Sequence, residues 1–179
     1  IFRDRAVYNG LYNSLLAGGS VAIIGVALYF ALSYVVNRTD LPARHVLEYV
    51  AMVPLAVPPL VMALGILWTW VTAPLPVYGT ILAIIIAFTA RFMPAGYRVI
   101  SASMLQIHDD LEQAALVSGA TRAQTVRRIT LPLLRGAVVS AMFLMIVLGL
   151  RELTASLFLY TANSRGLAIV MFDKLDDGT

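Results

Sequence analysis

Residues 112–132 read Glu112-Gln113-Ala114-Ala115-Leu116-Val117-Ser118-Gly119-Ala120-Thr121-Arg122-Ala123-Gln124-Thr125-Val126-Arg127-Arg128-Ile129-Thr130-Leu131-Pro132. This polar, helix-coded stretch lies between long apolar runs, and its reading governs the rest. Asp109 followed three residues later by Glu112 is a helix-start spacing, with carboxylates at the positive helix end. Gly119 predicts a stop just past the end of that first helix. Thr121 and Gln124 repeat the spacing of a capping box and open a second short helix, with Arg127 and Arg128 in its last turn. Pro132 suits the first turn of the following apolar run, where its missing N–H is harmless. The expectation is a helix–turn–helix over 109–132. Ala114, Ala115 and Ser118 leave the first helix a face without bulk. Such a face can seat in another protein's cleft or pack back on its own bundle.

The 179 residues are 60% hydrophobic and 13% charged, with a mean hydropathy of +0.83. Soluble domains carry about 25% charged residues, so the composition points to a lipid bilayer as the partner of most of the surface. The sequence contains no Cys, which excludes disulfides and thiolate metal sites. A net charge of +3, with arginines gathered at the ends of apolar runs, argues for membrane topology and against nucleic acid. No Gly-x-x-x-x-Gly-Lys-Ser/Thr stretch is present to cradle phosphates, and no catalytic set is visible. His108-Asp109-Asp110 with Glu112 lacks a recognised ligand spacing, so no metal site is assigned.

A bilayer core of about 30 Å asks for about 20 apolar residues per helix. Four runs meet that expectation, at about 14–36, 49–71, 77–104 and 136–160, and the fold class they imply is an all-α transmembrane bundle. Ala73-Pro74-Leu75-Pro76 predicts a tight hinge between the second and third. Alternation of sides places Arg38 and Arg44 with Arg98, Arg122, Arg127, Arg128 and Arg135, which by the positive-inside rule is the cytoplasmic side. Pro54, Pro58 and Pro59 predict a kinked or unwound second span, either a gate beside a substrate path or a static bend. Arg151 and Glu152 fall inside the fourth run, roughly 22–24 Å along it. They serve either the substrate path or a packing ion pair, while Arg91 is expected to anchor the end of its span. Gly18, Gly19 and Gly25 allow close helix approach.

The register of Ala114, Ala115, Gly119, Ile129, Leu131 and Pro132 resembles the loop motif of ABC-importer permeases, the inner-membrane components of binding-protein-dependent transport. That motif is Glu-Ala-Ala, three residues, Gly, nine residues, Ile, one residue, Leu-Pro; here Gln113 stands in the Glu position with Glu112 before it. Val53-Pro-Leu-Ala-Val-Pro-Pro59 and Arg151-Glu-Leu-Thr-Ala-Ser156 resemble the ferric-iron type of these permeases, and relatives for thiamine, phosphonates, sulfate or polyamines look similar. The resemblance implies a multi-pass subunit of a bacterial inner membrane, with ferric iron as first candidate substrate. It implies a periplasmic substrate-binding protein, a second permease half or subunit, and a cytoplasmic ATPase dimer that holds ATP and Mg; no cofactor is expected in this chain. Further spans are expected before Ile1 and after Thr179. Glu112, Gln113, Ala114, Ala115, Gly119, Ile129, Leu131 and Pro132 would couple to the ATPase, and Pro58, Pro59, Arg151 and Glu152 would belong to the substrate path. The reading of another class is an ion-coupled transporter or channel with no ATPase. Such proteins more often carry acids or His deep in their spans, and the first three runs have none in their cores.

Overall fold

The computed structural model describes residues 5–72, 77–161 and 164–176, so the expected hinge at 73–76 lies outside the described residues. All regular structure there is helical. Helix α1 (Arg5–Arg38) and helix α4 (Ile81–Leu105) are each long and apolar enough to cross a membrane. Between them lie α2 (Arg44–Ala56) and α3 (Pro59–Thr72), bent against each other by 109°. After α4 come α5 (Asp110–Val117), α6 (Arg122–Leu133) and α7 (Arg135–Arg151), the last two bent by 72°. Two short helices follow, α8 (Thr154–Leu159) and α9 (Leu167–Asp176). Counting each bent pair as one crossing gives up to four candidate spans.

The bends have local causes. Pro58 pushes Val57 into extended backbone (φ −91°, ψ 125°), and Pro59 has no N–H to offer the preceding turn. The expected kink is thus a complete break, with α3 restarting at Pro59. The second bend corrects the placing of Pro132. It lies in the last turn of α6, and the next helix begins only at Arg135, because Leu134 turns the chain inward and is itself 2% exposed. Helix α6 passes Pro132 through a wider turn over Val126–Thr130.

Helices α1, α4 and α7 pack together around one apolar core containing Val21, Tyr29, Phe88, Ile100, Met104 and Met145. The α1–α4 contact is close because Gly96 lies against the Tyr29 ring, whose hydroxyl donates to the Thr89 carbonyl at 2.6 Å. A Cβ at Gly149 would stand 2.8 Å from the Gly18 Cα, so α1 and α7 meet backbone to backbone. Gly18 therefore serves the close approach its type allows. Gly19 faces open space and does not. Outward-facing positions such as Ile23, Ile24, Trp68 and Phe143 are large, apolar and exposed, as a lipid-facing surface requires.

The Gly18–Gly149 contact predicts an asymmetric glycine response. Gly149→Val forces helices apart and should destabilise the detergent-solubilised protein by about 1–3 kcal/mol, read as a lower melting temperature. Gly19→Ala should leave the melting temperature unchanged.

Candidate functional site

The loop after α4 is held by a charge cluster assembled from three separate segments. Arg38, in the last turn of α1, has a side chain only 5% exposed. Its Nη2 donates to the carbonyls of Met104 (2.8 Å) and Ile107 (2.6 Å), satisfying the open end of α4. Its Nη1 pairs with the Asp109 carboxylate, and its Nε lies 3.4 Å from Glu112 Oε1. Glu112 also accepts from Thr130 Oγ1 at 2.8 Å and from the Tyr34 hydroxyl at 3.3 Å. One buried acid thus joins α1, α5 and α6.

This arrangement corrects the capping expected of Asp109. It has helical backbone (φ −62°, ψ −26°) and makes no side-chain cap, because its carboxylate is drawn to Arg38. The other expected signals appear as hydrogen bonds. Gly119 adopts φ +88°; its N–H donates to the Leu116 carbonyl and the Ala120 N–H to the Ala115 carbonyl, both at 3.0 Å. That is the paired pattern of a Schellman stop. Thr121 Oγ1 accepts from the Gln124 N–H at 3.3 Å, and Gln124 Oε1 accepts from the Thr121 N–H at 2.9 Å.

The two faces of α5 are unlike. Glu112 is buried and Ala115 half-buried against the bundle, while Gln113, Ala114 and Val117 are exposed, Val117 by 90%. The small residues Ala114 and Ala115 therefore point to different sides. On α6, Ile129 is half-buried, and Leu131 and Pro132 are exposed.

The second group of candidates gathers around two helix breaks. Helix α7 ends at Arg151, and Glu152 is extended (φ −75°, ψ 107°), so the pair does not lie within one continuous helix as expected. The break follows from Glu152's partners. Its Oε2 lies 3.0 Å from Arg91 Nε, and its Oε1 accepts the Ala155 N–H at 3.1 Å at the start of α8. Glu152 pairs with Arg91 rather than with its neighbour Arg151, which is exposed. Arg91 is no span-end anchor either: α4 runs on to Leu105, which leaves Arg91 about 15 Å from one end and about 21 Å from the other. A recess of about 380 Å³ opens beside the pair, lined also by Pro54, Val57, Pro59 and Arg151. Pro58 is exposed at the same break. Among the described residues no three His, Cys, Asp or Glu side chains converge as metal ligands. Arg38, Tyr34, Thr130 and Arg91 escape sequence reading, since their partners lie 18 to 78 residues away.

An apolar helical bundle with a half-buried ion pair at mid-helix and a pinned polar loop at one end has the build of an integral membrane protein. Residues 23–173 match the family described as binding-protein-dependent transport system inner membrane component, and the chain belongs to that family. It is 29% identical over 168 residues to the ferric transport system permease protein FbpB of Actinobacillus pleuropneumoniae, covering 94% of this chain and 24% of that protein. It is 31% identical over 155 residues to the putative ferric transport system permease protein FbpB 1 of Haemophilus influenzae, covering 87% and 24%. The chain thus spans about a quarter of the length of these relatives. Its fold is similar to a chain of the bacterial alginate ABC transporter crystallised with an alginate pentasaccharide-bound periplasmic protein. There the TM-score is 0.71 at 18% identity, with 99% of this chain and 70% of that chain covered.

Removing one member of a buried pair strands the other's charge, at about 3–5 kcal/mol. Arg38→Met is therefore expected to speed hydrogen exchange of the α5 amides by roughly a hundredfold or more, with the α4 interior unchanged. Uniform loss of protection across both helices would point to general unfolding instead.

Proposed function

We propose that this chain forms the membrane core of a permease subunit in an ATP-driven importer. A periplasmic binding protein delivers substrate, ferric iron being the first candidate because ferric permeases are among the relatives. A cytoplasmic ATPase dimer, holding ATP and Mg, supplies the energy, and a second permease half or subunit completes the path. The loop 109–132 lies on the cytoplasmic side, together with Arg38 at the end of α1 and Arg44 at the start of α2.

The observation that carries this reading is the two-sided build of α5. Its inner side is fastened through Glu112 to Arg38, Tyr34 and Thr130. Its outer side offers Gln113, Ala114 and a bare Val117 at the end of the bundle. Apolar side chains left exposed beyond the spans suit a protein partner. A push on the outer side reaches α1 and α4 through charged contacts rather than through flexible loop. Gly119, Ile129, Leu131 and Pro132 belong to the same coupling segment, Gly119 by turning the chain between α5 and α6. Pro58, Pro59, Arg151 and Glu152 border the path at the two breaks.

Cross-linking tests the contact. Val117→Cys in the full-length permease, with the ATPase co-expressed and scanned with single cysteines, should give a cross-link whose yield changes with bound nucleotide. Gly119→Trp cannot hold φ +88° without strain, and uptake should fall at least about tenfold with the complex still assembled. Uptake that continues with no ATPase present would replace this reading with an ion-coupled transporter.

A further inference from the structure

The recess between the two breaks does not balance its charges. Arg91 and Glu152, 3.0 Å apart, neutralise each other. Arg151 lines the same recess, is exposed, and has no ion-pair partner among the described residues. Helix ends do not remove its charge. Helices α2 and α7 bring their negative ends to the breaks, and α3 and α8 bring their positive ends, so the dipoles cancel to first order. The remaining walls, among them Phe92, Pro94 and Leu148, are apolar and add no compensating charge. The recess therefore carries about one positive charge.

We propose that this recess is a way station for substrate and that it admits anions: an oxyanion, or a metal ion carried inside an anionic chelate. Arg151 supplies the attraction. The Arg91–Glu152 pair holds the recess open between α4 and the end of α7 without adding net charge. A bare trivalent cation is repelled here, so ferric iron would have to pass as a negatively charged complex. The inference rests on the permease reading above, and its test separates the two.

The charge of the recess can be read without transport. The chain has no Cys, and Leu55, which lines the recess, is 72% exposed, so Leu55→Cys gives a mild reporter in the full-length permease–ATPase complex with any other cysteine replaced. Its reaction rates with an anionic sulfonate and a cationic trimethylammonium methanethiosulfonate are compared, each relative to a free thiol. For an assumed separation of about 7 Å in watery surroundings, one net charge should favour the anionic reagent by up to about tenfold. Arg151→Gln should bring the ratio near one, and Arg151→Glu should invert it by a similar factor.

Equal rates in the unmodified recess, preference for the cation, or a ratio indifferent to Arg151→Glu would each overturn the proposal. So would failure of a neutral methanethiosulfonate to react, since the recess would then be closed to water. Uptake of radiolabelled ferric citrate and of radiolabelled sulfate distinguishes the anionic chelate from the oxyanion. Arg151→Glu should lower whichever is carried at least about tenfold, and unchanged uptake also overturns the proposal. The expected labelling ratio in a protein whose uptake needs no ATPase would remove the importer reading and leave the charge inference standing.

Discussion

The Arg38 guanidinium is the contact on which the loop-bearing end of this bundle depends. It ends α1, donates to the Met104 and Ile107 carbonyls at and just past the end of α4, and pairs with Asp109 and Glu112 at the start of α5. Three chain segments are brought to one cation there, beside an apolar seam that includes Tyr34, Met104 and Ile107. The side chain is 5% exposed, so its charge is tolerable only with all its partners present. The orientation of α5, and with it everything its outer face can touch, follows from that requirement.

A second constraint acts deeper in the bundle. Backbone can leave helical geometry at membrane depth only where protein or a watery cavity receives its polar groups. Both breaks obey this. The Val57–Pro58 break and the Glu152–Leu153 break border one recess, and the Glu152 carboxylate answers both the Arg91 side chain and the freed Ala155 N–H. The same carboxylate that neutralises the half-buried Arg91 thereby lets α7 stop short of α8. Helix irregularity, ion pairing and the recess are one feature here.

The two ends are joined by a rigid core. Helix α4 carries Arg91 in its middle and the Arg38-bound carbonyls at its end, and its packing on α1 is fixed by Tyr29 against Gly96. A displacement of α5 therefore acts on the same helix that holds the ion pair. Compact packing of this kind shifts between discrete arrangements rather than deforming smoothly.

Much was legible before any coordinates. Helical class, apolar runs, the Gly119 stop and the Thr121–Gln124 box are local properties, each set by residues within a few positions of one another. Period, cap chemistry and a positive φ are written into short windows, and the family resemblance of the loop lies in such a window too. What the sequence could not show were the partners of its charges. Asp109 reads as a cap, Arg151 and Glu152 as a neighbouring pair, and Arg91 as an anchor. Asp109, Glu152 and Arg91 acquire different roles because a side chain 61 or more residues away offers a better counter-charge, and Arg151 is left unpaired among the described residues. Pro132 likewise reads as the start of a span, until the burial of Leu134 shifts the turn beyond it. Local sequence determined which helices form and where their caps lie. Tertiary structure alone decided which charges meet, because a buried charge is stable only beside its partner, and folding brings that partner from far along the chain.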